Sequence, residues 1–128
     1  MADVIGVEFV NTRCVDDLYR KYSAFVVGSR IIRESVSVSR HWWVRSRTSD
    51  PRLSRAATCE FRDNSEFDDL LVKGSQLCGI RFGKIDFGIA CNGIHIFEIN
   101  LDPFVRDSFC EYDLHDVIED LIDSLSLL

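Results

Sequence analysis

Gly83-Lys84-Ile85-Asp86-Phe87-Gly88-Ile89-Ala90-Cys91-Asn92-Gly93-Ile94-His95-Ile96-Phe97-Glu98-Ile99-Asn100 is the stretch that decides the fold. Asn92-Gly93 between two alternating apolar runs is a strong hairpin signal, and it predicts antiparallel strands over residues 80–90 and 94–99. Loop length then decides where the polar residues fall. A two-residue loop at Asn92-Gly93 pairs Cys91 with Ile94 and sends Asp86 and Glu98 to opposite faces. A three-residue loop, Cys91-Asn92-Gly93, with Gly93 left-handed beside a bulge, sets Asp86 opposite Glu98 and Lys84 opposite Asn100.

In the second register the oxygens of Asp86, Glu98 and Asn100 gather at one end of a hairpin. Directly opposed residues have β-carbons about 5 Å apart, and like charges there are unfavourable. At an effective dielectric of 20 the repulsion is on the order of 3 kcal/mol. Two counter-charges fit. One is a hard cation such as Mg²⁺ (or Mn²⁺), which is held by one or two carboxylates together with substrate phosphate oxygens. The other is Lys84, acting as a surface salt bridge.

Working outward, residues 19–27 and 31–39 are β-branched and aromatic runs separated by Gly28-Ser29-Arg30, a glycine-first turn, and predict a further hairpin. Val36 and Val38 alternate with Ser35, Ser37 and Ser39, as on a strand with one wet face. Residues 4–10 read as an apolar strand followed by a turn region at 11–17. Residues 40–62 carry no regular pattern, and Trp42-Trp43 within them reads as a packing wedge in preference to the alternative, a ligand platform. Ser65, with Asp68 beyond it, predicts a capped helix to Cys78 with Phe67, Leu70, Leu71 and Leu77 at helical spacing and Gly79 as its stop. An acidic amphipathic helix over residues 114–125 closes the chain. Strands with helices that can lie on one face of an antiparallel sheet make an α+β domain.

The chain of 128 residues suits a single domain, residues 1–128, large enough to bury a core. With 46% hydrophobic and 28% charged residues it has ordinary soluble composition, and its apolar runs are too short to span a bilayer. The N-terminus lacks an export pattern, so a cytoplasmic location is expected. Five widely spaced cysteines without a Cys-x-x-Cys pair predict reduced, mostly buried thiols. The net charge of −6 hides an asymmetry, with arginines concentrated between residues 20 and 62 and acids between 63 and 123. Because the arginines read as dispersed through strands with no accompanying motif, no nucleic-acid partner is expected.

Two stretches together resemble the C-terminal half of the ATP-grasp superfamily, which includes D-alanyl-D-alanine ligase, glutathione synthetase and the biotin carboxylases. Val7-Glu8-Phe9-Val10, then Tyr19-Arg20-Lys21-Tyr22 leading into Phe25-Val26-Val27-Gly28, is similar to the family's adenine-contacting hinge and following hairpin. Lys84-Ile85-Asp86-Phe87 with Phe97-Glu98-Ile99-Asn100-x-x-Pro103 resembles its metal-binding hairpin. The likeness implies that Asp86, Glu98 and Asn100 hold Mg²⁺ (or Mn²⁺) against nucleotide phosphates. It implies that Lys84 stands in for an arginine on the transferred phosphoryl group. Arg20 would face phosphate or acceptor, or else pair with Asp16 or Asp17. Glu8, Phe9 and Val10 would line the adenine pocket, the latter two being core residues in any case.

Such enzymes use ATP to activate a carboxylate as an acyl phosphate that an amine or thiol then displaces. The family's N-terminal half is absent from the sequence, so the resemblance implies an ATP- and Mg²⁺-binding module incomplete for catalysis alone. A homodimer or a partner chain would supply the rest. The competing expectation is a non-catalytic interaction or dimerisation domain derived from the same family.

Overall fold

The computed structural model describes residues 3, 4, 6, 8–103 and 114–127. Among them are four strands, β1 (Tyr19–Val27), β2 (Arg30–Ser39), β3 (Phe82–Ala90) and β4 (Gly93–Asn100), and three helices, α1 (Pro51–Arg62), α2 (Asp68–Leu77) and α3 (Leu114–Ser126). The strands form one antiparallel sheet in the order β2-β1-β3-β4. This is the α+β architecture expected from the sequence. Among the described residues no helix is long and apolar enough to cross a membrane.

Strand alternation divides the core in two. Ala24, Val26, Val36, Val38, Ile85 and Phe87 point to one face, where Phe61 of α1 and Leu71 of α2 close over them. Phe25, Val27 and Ile32 point to the other, where Leu121 of α3 packs. The helices therefore do not all share a face. α1 and α2 do, whereas α3 lies on the opposite side against β1 and β2, because β1 is apolar at consecutive positions and needs cover on both sides. Burying side chains such as Phe25 and Phe87 stabilises the sheet by about 1.5–3 kcal/mol each.

α1 was not expected. Its apolar positions, Leu53, Ala57 and Phe61, are diluted by arginines, yet Asp50-Pro51 is a clear start. The Asp50 side chain accepts the Leu53 N–H at 3.0 Å, and Pro51 occupies the first turn, where a missing N–H costs nothing. The helix also seals the outer edge of β2. Thr58 Oγ1 accepts the Val36 N–H at 2.9 Å, Ser54 Oγ accepts the Val38 N–H at 2.9 Å, and Arg62 Nε donates to the Glu34 carbonyl at 3.1 Å. These groups would otherwise be open to another strand.

Other expectations are corrected. Ser65 does not cap α2; the helix begins after Phe67 without a side-chain cap, and Ser65 only accepts the Asp68 N–H through its carbonyl at 3.1 Å. Gly79 does stop it, at φ 69, with the Ile80 N–H on the Ser75 carbonyl and the Gly79 N–H on that of Gln76. None of the described residues between 3 and 10 is a strand, since the sheet edges β2 and β4 do not take them up. Trp42 and Trp43 are 65% and 47% exposed and wedge into no core. Cys59, Cys78 and Cys91 are exposed free thiols and Cys14 is half-buried, contrary to the buried expectation. Cys110 lies outside the described residues.

Candidate functional site

The β3–β4 hairpin reaches the expected pairing by a different route. Its loop is Cys91-Asn92, with Ala90 opposite Gly93 and Gly93 at φ 124. This ladder, left to continue, would place Asp86 opposite Phe97. A bulge intervenes: Phe87 pairs with Ile96, whereas Asp86 pairs with Glu98 and Lys84 with Asn100. Phe97 is the extra residue, so it and Glu98 turn to the same face. Its ring lies over Gly88, where a β-carbon would stand 2.5 Å from Cζ. Neither of the loops read from the sequence occurs, because the slip is made inside β4 rather than at the turn.

Lys84, Asp86, Glu98 and Asn100 consequently line one small cavity of about 120 Å³ on the sheet face opposite α1 and α2. α3 packs on the β1–β2 part of that face. β1 and β2 contribute three residues that the sequence reading overlooked. Ser23, opposite Asp86 on β1, donates its hydroxyl to Asp86 Oδ1 at 2.7 Å, and Lys21 Nζ stands 3.6 Å from Oδ2. Glu34 is the bulged residue of β2, between the pairs Ser23–Ser35 and Ala24–Arg33. Its carboxylate, buried at 7% exposure, lies 2.6 Å from Lys84 Nζ in a Coulomb contact rather than an aligned hydrogen bond. Lys84 also stands 5.7 Å above the Phe25 ring, which favours a cation there.

The counter-charge to Asp86 is thus Lys21, and Lys84 answers Glu34 instead. Lys21 was legible as a neighbour in phase with Ser23 and Phe25 on β1. Glu34 was not, because nothing local marks a bulge.

The remaining expected site residues do not join this cluster. Arg20 shares its face with Tyr22 and Ala24, towards α1 and α2. It binds Asp16 through two hydrogen bonds of 3.1 and 2.6 Å. That contact holds the Asp16 carboxyl below the ordinary carboxylate range and the Arg20 guanidinium above its own, while burial pushes the Tyr22 phenol up. The pairing with Asp16 is the alternative the sequence allowed. Glu8 and Phe9 are exposed and Val10 half-buried, and Phe9 meets Trp42 edge-on at 5.9 Å. Phe9 is therefore not a core residue, and none of the three lines the hairpin cavity.

The donor set is two carboxylates and one amide, all hard oxygens and no sulfur or imidazole, which suits Mg²⁺ or Mn²⁺. Asn100 Oδ1 accepts the Asp102 N–H at 2.9 Å, which fixes the amide and leaves a second lone pair. Among the described residues no three acid, histidine or cysteine side chains gather into a full protein cage.

No family model matches this sequence, and no curated protein is significantly similar to it. Among solved structures, the ATP-grasp ligase PsnB, complexed with the precursor peptide PsnA2 and AMPPNP, is similar with a TM-score of 0.46 and 13% sequence identity. The match covers 84% of this chain and 33% of that one, so this chain spans about a third of its length.

Proposed function

We propose that the β3–β4 hairpin binds Mg²⁺ (or Mn²⁺) together with the phosphates of ATP, making the chain the nucleotide-binding module of a carboxylate–amine ligase-like protein. The observation that carries this reading is the direct opposition of Asp86 and Glu98, with Asn100 and Lys84 lining the same cavity. Two like charges held opposite one another are unfavourable without a partner cation. Lys21 offsets only one of them, since its ammonium sits at Asp86.

Each side chain has a task. Asp86, already fixed by Ser23, and Glu98 would hold the metal with Asn100, while bound metal would neutralise phosphate charge. Lys84, steered by Glu34, presents an ammonium at the cavity wall as a point charge for a phosphate oxygen, without the two-pronged bonding of an arginine. A two-carboxylate site leaves part of the metal's shell open to water or to ligand phosphates. We assign binding to this chain and turnover to its assembly with a partner chain.

Titration calorimetry with ATP in excess Mg²⁺ tests the reading. Heat is expected from the wild-type protein and its loss is expected in Asp86→Asn and in Glu98→Gln. Absence of heat at millimolar nucleotide, or heat in both variants equal to that of the wild type, rejects it.

A further inference from the structure

A feature on another part of the molecule has no role in that site. Between residues 40 and 55 the sequence holds five arginines and a single acid, Asp50, although the whole chain is acidic at −6. In sequence the arginines between residues 20 and 62 read as dispersed through strands, which holds for Arg20, Arg30 and Arg33 but not for these five. Arg40, Arg45 and Arg47 occupy the loop between β2 and α1, and Arg52 and Arg55 lie in the first turns of α1. Asp50 is engaged as the helix cap. Among the described residues Arg40, Arg47 and Arg52 form no ion pair.

Aromatic rings stand among these cations. Trp42 and Trp43 are 65% and 47% exposed, and Phe9, 61% exposed, abuts Trp42. The Arg45 guanidinium lies 4.6 Å from the centre of the Trp43 ring. Beside them Arg40, His41 and Arg47 line a cavity of about 290 Å³ with Thr48, Ser49 and the helix-capping Asp50. The loop is braced internally. Thr48 Oγ1 donates to the Trp43 carbonyl at 2.8 Å and accepts the Arg45 N–H at 2.9 Å, Ser49 Oγ donates to the Arg45 carbonyl at 2.7 Å, and Ser39 Oγ donates to the Thr48 carbonyl at 2.7 Å. An exposed tryptophan pair on a braced loop gives up apolar burial, and it brings flat faces and fixed positive charge to one place.

We infer that this loop, with Phe9 and the first turns of α1, binds single-stranded nucleic acid, the arginines meeting phosphates and the exposed rings stacking on bases. Single strands suit the surface better than a duplex, whose bases are already stacked on one another and offer no free face. An acidic peptide would use the arginines and leave the rings idle. Affinity by this mode is modest and depends on salt. With three to four phosphates engaged, the slope of log affinity against log salt is about −2 to −3.

The chain's two tryptophans both lie in the proposed surface, so tryptophan emission reads the surface directly. Titration with an oligo-uridylate of about eight nucleotides, in EDTA so that the hairpin site takes no part, should quench emission with that salt slope. Arg40→Glu combined with Arg47→Glu should weaken binding at least about tenfold, and Trp42→Ala about tenfold, the latter read by anisotropy of a labelled oligonucleotide. Asp86→Asn should bind it as the wild type does, which separates this proposal from the one above. Absence of quenching overturns the inference. So does equal displacement by polyglutamate, which would make the surface a peptide site, or equal quenching by ATP alone, which would make it a nucleotide site. Tighter binding of a duplex, or a response that follows self-association in sedimentation, would overturn it as well.

Discussion

Replacing Glu98 by glutamine should stabilise the metal-free protein and destabilise it relative to wild type once Mg²⁺ is added. Glu98 faces Asp86 directly across the β3–β4 ladder. For charges about 5 Å apart, effective dielectrics between about 20 and 80 give repulsions from about 3 down to about 1 kcal/mol. Glu98 is exposed, so the watery end governs, and measured cross-strand pairs fall at about 0.2–1 kcal/mol. Lys21 and Ser23 already hold Asp86, which trims the gain further. About 0.5 kcal/mol remains, and for a domain of this size that raises Tm by about 2 °C. Free Mg²⁺ at ten times its dissociation constant stabilises a protein that binds it only when folded by about 1.4 kcal/mol. The wild type should therefore gain about 5 °C and overtake the glutamine variant, which gains little. Differential scanning calorimetry with and without MgCl₂ reads both signs. A variant less stable than wild type in EDTA, or two proteins that respond equally to Mg²⁺, would refute the reasoning.

Thr58→Val keeps the shape of a buried side chain but strands the Val36 N–H, so urea unfolding should show a loss of about 1–3 kcal/mol while Thr58→Ser loses less. The Asp16–Arg20 pair should appear in the pH dependence of stability. Because Asp16 has a lowered pKa in the folded protein, its contribution is complete above the ordinary aspartate value and is lost as pH falls through the depressed one. The stability gap between wild type and Arg20→Gln should hold at neutral pH and close progressively in acid below about pH 4. A gap that widened on acidification would contradict the assignment.

The strands were legible because their patterns are local. Tyr19–Val27 follows from its β-branched and aromatic run, and the glycine turns announce themselves by composition. Phe97 and Glu34 were illegible for the converse reason: a bulge is a property of two strands together, and the extra residue looks like any other until its partner is known. The acids of the site could still be paired in advance, since either a longer loop or a bulge shifts the register by one. α1 was hidden by arginines on its wet side, although Asp50-Pro51 marked its start. The run over residues 4–10 misled in the opposite direction. Its apolar residues promised a strand, but those of them the structure describes pair with neither edge of the sheet, and Phe9 lies against Trp42 instead.

The β2 edge that α1 seals gives the sheet a direction. With Ser54 and Thr58 holding the Val36 and Val38 N–H groups on the rim of β2, polypeptide that extends the sheet finds the freer flank alongside β4. A fusion partner or engineered insert that contributes strands would thus arrive on the flank of Glu98, and its own side chains would become walls of the hairpin cavity.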